Sequence, residues 1–223
     1  DTAGHGGEWM HDFIEHCLRG TNHATGGKGT PLDFIAFHAK GTTRLDDKGR
    51  VEMNLRNHLK TIDTYGRIIA SFPEYARLPV YIGESDPEGC AGCPATLDPE
   101  RDYRRTSQFA AYTAASFMRK QDLLARTGGD LQGAVSWAFT FAEQPWFNGL
   151  RALTTNEVSL PVFNAFKLFA RLGRLRVGAT STGERTGVTP SASMPSSGTA
   201  MRTSLPARAV PILQNGVRMP STM

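Results

Sequence analysis

In the stretch "LPVYIGESDPEGCAGCPA", residues 78–95, an apolar run ends in three acids at alternate positions, Glu84, Asp86 and Glu88, with Cys90 and Cys93 close behind. These residue types allow three chemistries: a calcium loop, a cysteine metal or redox pair, or a reactive carboxylate at the tip of a strand. An EF-hand calcium loop needs a bidentate glutamate at its twelfth position. Counted from Glu84 that position is Ala95, Pro87 interrupts the loop, and a strand rather than a helix leads into it. A lone C-x-x-C has no second pair at zinc-ribbon spacing, so no metal site is expected. The pair is left open between a disulfide and two thiols that shape the loop. Cys17, on the apolar face of a helix, reads as core.

Other reactive side chains gather at comparable places. "LDFIAFHAKG" is an apolar run ending in His38 and Lys40, two apart and so on one face of a strand. Strict alternation places Val80, Ile82 and Glu84 together on one side of the next strand. "GAVSWAFTF" reads as a third buried strand with Trp137, Phe139 and Phe141 in register, and Glu143, Trp146 and Arg151 follow in the loop. Aromatic faces stack on pyranose rings, and charged groups hydrogen-bond sugar hydroxyls. Each residue also has a plainer reading: Glu84 and Lys40 as solvated strand ends, His38 and Trp137 as core. The coincidence at three successive strand ends favours a sugar pocket, because reactive groups of parallel α/β sheets collect at the carboxyl ends of their strands.

The elements that must position these groups follow from hydrophobic periodicity. Residues 8–19 carry Trp9, Met10, Phe13, Ile14, Cys17 and Leu18 on a helical stripe that Gly20 closes. Helices are expected over 52–72, stopped by Pro73, over about 103–126, stopped by Gly128 and Gly129, and from Pro161 to near Gly173. A helix followed by three strand–helix units means a parallel sheet. Three units are half of an eight-stranded barrel, which takes about 250 residues. Residues 1–173 are therefore expected to form one α/β unit. Residues 174–223, rich in Ser, Thr, Pro, Gly and Arg, read as a disordered tail.

The net charge of +4 resides in that tail: residues 1–170 hold 18 Lys+Arg and 20 Asp+Glu, whereas 171–223 hold seven Arg and one acid. A nucleic-acid binder concentrates basic charge on its folded surface, so no nucleic-acid partner is expected. No apolar run approaches the roughly 18 residues of a membrane span.

The blocks "LDFIAFHAKG", "VYIGESDPEGCAGC" and "GAVSWAFTFAEQPWFNGLRALTTNEVSLPVFNAFKLF" resemble glycoside hydrolase family 39, from about Ala3 to Gly173. That family contains bacterial β-xylosidases and animal α-L-iduronidases, and the "GESDPEG" and "QPWF" loops look more like the xylosidase branch. The resemblance implies a (β/α)₈ barrel, here strands six to eight with at most a stub of strand five, and retaining hydrolysis through two glutamates without a cofactor. It makes Glu84 the nucleophile and His38 a substrate-binding histidine. Lys40 takes the place of a lysine that meets the sugar carboxylate in iduronidases. Trp137, Glu143 and Arg151 fall in the pocket-lining region after strand eight. The family's acid/base lies in a Trp-Asn-Glu-Pro-type motif after strand four, and no Asn-Glu-Pro occurs in the 223 residues. The expected ligand is a small carbohydrate, a xyloside or xylo-oligosaccharide. Uronide specificity, resting on Lys40, is one alternative. The other is a non-catalytic half-barrel that binds sugar or self-associates through its open sheet edges.

Overall fold

The computed structural model describes residues 6–172. The stretch read as a tail, 174–223, lies outside the described residues. Three parallel strands, β1 (Ile35–Lys40), β4 (Pro79–Asp86) and β5 (Asp130–Ala134), form one sheet in the order β1-β4-β5. Helix α2 (Leu55–Ala70) connects the first two strands and α3 (Ser107–Arg126) the second two. Helix α1 (Gly6–Arg19) precedes the sheet and α4 (Pro161–Phe169) follows it. Two short antiparallel hairpins, β2 (Arg44–Leu45) with β3 (Val51–Glu52) and β6 (Thr154–Thr155) with β7 (Val158–Ser159), decorate the loops. The chain is thus a mixed α/β fold on a parallel sheet.

The helices cover one face of the sheet because their apolar stripes have nowhere else to go. Met10 and Ile14 of α1 and Ile62, Tyr65 and Ile69 of α2 bury against Ile35, Phe37, Val80, Ile82 and Leu131. Phe37 meets Tyr65 edge-to-face, the centroids standing 4.8 Å apart. Trp9, expected on the buried stripe of α1, is instead 42% exposed and stacks on Phe13. A second cluster joins Leu55, Tyr103, Phe109, Tyr112, Val162 and Phe166, and so ties α4 to α3.

Three departures from the sequence expectation have physical causes. The pattern read as one helix from Tyr103 to Arg126 is a 3₁₀ turn, Pro99–Arg105, followed by α3. Thr106 is extended between them, and its hydroxyl accepts from the Gln108 amide as an N-cap. The third strand lies earlier than residues 133–141. Its pairing ends where the Val135 amide donates to Ile82 and the Ser85 amide to Val135, after which the Trp137 amide turns to the Asp86 carboxylate. Phe139 pairs instead with the Arg151–Ala152 segment. The last departure concerns register: Ile35, Ala36 and Phe37 face Val80, Tyr81 and Ile82, but His38 faces Glu84. Gly83 is an extra residue, a β-bulge. It moves Glu84 off the Val80–Ile82 side and onto the face of His38 and Lys40. Ser85 consequently points toward α2 and α3, where it meets His58 and Lys120.

Candidate active site at the strand ends

The bulge brings four polar side chains together on the sheet face opposite the helices. Lys40 Nζ lies 2.5 Å from Glu84 Oε2 and 2.7 Å from Asp86 Oδ2. His38 Nδ1 lies 3.6 Å from Glu84 Oε1. Glu84 and His38 are mostly covered, their side chains 16% and 17% exposed, so a small molecule can reach them but bulk water is restricted. Burial lowers the His38 imidazole below its ordinary value, with the Lys40 ammonium acting the same way and Glu84 and Asp86 opposing. A histidine so held is neutral at pH 7. It then offers one ring N–H to donate and one nitrogen to accept, the pattern that suits a sugar hydroxyl.

Asp86 is completely buried. Besides Lys40 it accepts from Ser136 Oγ at 2.7 Å and from the Trp137 amide at 3.1 Å, and Arg151 Nη2 stands 3.6 Å away. Arg151 donates through Nε to the Trp137 carbonyl at 2.9 Å. The peptide on one side of Trp137 is thus held by a carboxylate and the peptide on the other by a guanidinium. The indole itself is 43% exposed, packed edge-to-face on Phe139 at 5.5 Å. The indole is thus half exposed, and the reading of Trp137 as core does not hold.

The structure does not bring Glu143 or Arg151 into that group as sugar contacts. Glu143 is exposed on the following loop with a left-handed backbone, φ 51°. Arg151 is fully buried and engaged with Glu88 as well as with Asp86 and Trp137. It acts through the residues it holds.

A family model, Glycosyl hydrolases family 39, matches residues 2–201. The chain belongs to glycosyl hydrolase family 39. The match extends past residue 173, where the resemblance in sequence was expected to end. The α-L-iduronidases of dog and human are 38% and 34% identical to the chain over 75 residues, 34% of the chain and 10% of each relative. Among solved structures, a bacterial orthologue of human α-L-iduronidase matches with a TM-score of 0.56 at 18% identity. It covers 77% of this chain and 29% of its own. A monomeric β-xylosidase from Caulobacter crescentus CB15 matches with a TM-score of 0.50 at 19% identity, covering 76% of this chain and 33% of its own. The chain therefore spans about a tenth of the curated relatives it matches and about a third of the solved structures.

In this family 39 chain the residues that hold the site together were the ones sequence reasoning passed over. Glu88 receives Arg104 at 2.6 Å, the Tyr103 hydroxyl at 2.7 Å and Arg151 at 3.1 Å. Burial alone would raise its carboxyl, but Arg151, Arg104 and Tyr103 hold it below the ordinary value. Arg104, fully buried, also donates to the carbonyls of Cys90, Cys93 and Gly149. Cys90 and Cys93 form a disulfide, which closes the loop that Arg104 grips. The signal available in sequence was the third acid of "ESDPE", whose partners lie 15 to 63 residues away.

Behind Glu84, on the helix side, runs a buried polar row. Lys120 Nζ donates to Ser85 Oγ at 2.7 Å, Ser85 Oγ lies 3.1 Å from His58 Nε2, and His58 Nδ1 lies 2.6 Å from the Tyr112 hydroxyl. Complete burial lowers the Lys120 ammonium to about 7, against the pull of Asp86. Burial, with Lys120 and Lys40 adding to it, lowers His58 well below the ordinary imidazole value. Among the described residues no group of three His, Cys, Asp or Glu side chains is placed to hold a metal ion. No described helix is long and apolar enough to cross a membrane.

Proposed function

We propose that this chain is part of a retaining glycosidase acting on neutral β-xylosides, with Glu84 as the nucleophile. The observation that carries the reading is the Glu84 carboxylate at a strand end, 2.5 Å from Lys40 and 3.6 Å from His38, with Asp86 of the same group holding the amide of the half-exposed Trp137. In this reading β1, β4 and β5 are strands six, seven and eight of a (β/α)₈ barrel, and residues 6–172 belong to its carboxyl-terminal half. Glu84 attacks the anomeric carbon, forming a glycosyl–enzyme ester while the aglycone oxygen leaves. Water then breaks the ester with retention. His38 and Lys40 hydrogen-bond sugar hydroxyls, and Trp137 stacks on the ring. Glu143 lies on the loop bordering the pocket, and Arg151 fixes the Trp137 backbone. The leaving oxygen takes its proton from a second carboxyl about 5–5.5 Å from the first. No Asn-Glu-Pro lies in these 223 residues to supply it.

The test is turnover of 2,4-dinitrophenyl β-xyloside, whose leaving group needs no proton, against xylobiose, which does. Glu84-dependent release is expected from the aryl xyloside, with xylobiose slower by the roughly 10²–10⁴-fold that acid assistance contributes. Release unchanged in Glu84→Gln sinks the nucleophile assignment. Xylose binding without turnover of either substrate makes the chain a sugar-binding unit instead.

A further inference from the structure

We propose that the Cys90–Cys93 disulfide is a redox control on the aromatic side of the site: oxidised, it holds the loop that seats Trp137 and Phe139, and a dithiol reductant releases them. Its effect on ligand binding rests on the reading of the Glu84 neighbourhood as a sugar site. Its effect on Trp137 does not.

Residues 87–98 form neither helix nor strand, so this loop takes its shape from individual contacts. The disulfide closes its centre, with Ala91 and Gly92 between the two cysteines. A disulfide acts chiefly by restricting the conformations of the segment it closes. This segment presents its carbonyls to two buried arginines. Arg104 donates to the carbonyls of Cys90 and Cys93, the latter at 2.6 Å. The Ala91 carbonyl accepts the Arg151 amide at 2.9 Å.

Arg151 carries that restraint to the rings. Its carbonyl accepts the Phe139 amide at 3.0 Å, and its Nε donates to the Trp137 carbonyl at 2.9 Å. Ala91 is thus two hydrogen bonds from the backbone of each aromatic residue. The two rings pack edge-to-face at 5.5 Å and are 37% and 43% exposed. They lie beyond the end of β5, and Phe139 pairs with the Arg151–Ala152 stretch, so its seat depends on where Arg151 stands. A loop freed at its centre no longer fixes the Ala91 carbonyl, and the restraint on both rings is lost.

The disulfide is open to attack. Cys90 and Cys93 are partly exposed, and Cys17, the third cysteine of the chain, is a buried thiol. A thiolate of the reductant bonds to one of the two sulfurs and breaks the S–S bond, and the displaced cysteine takes a proton. The second thiol of the reductant then resolves the mixed disulfide. The protein gains two electrons and two protons and ends with two thiols, and the reductant ends as a disulfide.

The test uses the full chain carrying Trp9→Phe and Trp146→Phe, both at exposed rings, which leaves Trp137 as its one indole. Acrylamide quenching is measured in the oxidised chain, in dithiothreitol, and after reoxidation. An indole 43% exposed leaves room for a roughly twofold rise in the quenching constant on reduction. The rise should reverse on reoxidation, with far-UV circular dichroism unchanged throughout. Cys90→Ser combined with Cys93→Ser should give the raised value in both conditions. If that chain does not fold, reduced protein capped with iodoacetamide replaces it. Xylose, titrated by ligand-observed NMR, should bind about 2–10-fold more weakly after reduction, the scale of one aromatic contact.

Quenching of Trp137 that is the same in the oxidised and reduced chains overturns the inference. So does loss of the far-UV signal on reduction, which makes the disulfide a staple of the whole fold. Xylose bound equally well in both states also overturns it. A raised quenching constant in a chain that binds xylose in neither state upholds the control on Trp137 and overturns the sugar-site reading.

Discussion

Replacing Lys120 with methionine should remove a specific dependence of stability on pH. The amine is completely buried between Ser85 and the face of Phe117, 4.3 Å from that ring. In the folded chain it releases its proton near pH 7, whereas in the unfolded chain it keeps it to the ordinary value of 10.5. Between those values the unfolded state binds more protons, so stability rises with pH across the window. Between pH 7 and 9 the rise from this group alone is about 2 kcal/mol, worked from the two values and 1.36 kcal/mol per unit. Burial pushes Tyr103 and Tyr112 upward, so neither titrates in that interval. His58 is lowered and lies below it. Urea unfolding of both chains at pH 7, 8 and 9 isolates Lys120, because everything else cancels in the difference. The stability of Lys120→Met relative to wild type should fall by about 2 kcal/mol from pH 7 to 9. The absolute offset depends on how methionine packs, but the slope does not. A difference flat to within about 0.5 kcal/mol, or one of opposite sign, refutes the claim that a buried amine near neutrality lies behind Glu84.

Two further predictions concern the scaffold. Arg104→Met leaves Glu88 without its 2.6 Å partner and three carbonyls without their donor, and should cost about 3–5 kcal/mol in urea melts; a loss below about 1 kcal/mol would show that the buried arginine is not needed. A β-carbon at Gly41 would stand 2.6 Å from the Pro87 carbonyl oxygen and 2.8 Å from the Tyr112 hydroxyl. Gly41→Ala should therefore destabilise the chain by about 1–3 kcal/mol, and an unchanged Tm would contradict the close approach of the loops after β1 and β4.

Periodicity made the helices and the three strands legible, because each element buries a full apolar face and its residues must recur at the period of that element. It also pointed to Glu84, His38, Lys40 and Trp137, since polar residues that close an apolar run stand out against it. It could not show which of these meet. The side of the sheet on which Glu84 lies depends on the pairing of Phe37 with Ile82 and of His38 with Glu84, a relation between two strands that neither contains alone. The third strand was misplaced for a similar reason. Residues 136–141 are as apolar as a strand, but the Trp137 amide finds the Asp86 carboxylate rather than a neighbouring strand. Arg151 and Glu88 are 63 residues apart, and nothing local to either announces that each neutralises the other.

The extra residue at Gly83 acts as a parity switch. Before it, even-numbered residues of the strand belong to the core. After it, even-numbered residues belong to the site and odd-numbered ones to the core. Were Gly83 to pair in register with His38 instead of bulging, the same residues would turn Glu84 toward the helices and Ser85 toward the opposite face. Strands grafted between relatives of this chain must therefore be matched by counting residues to the bulge, since similarity of sequence alone conserves the letters and can still exchange the faces.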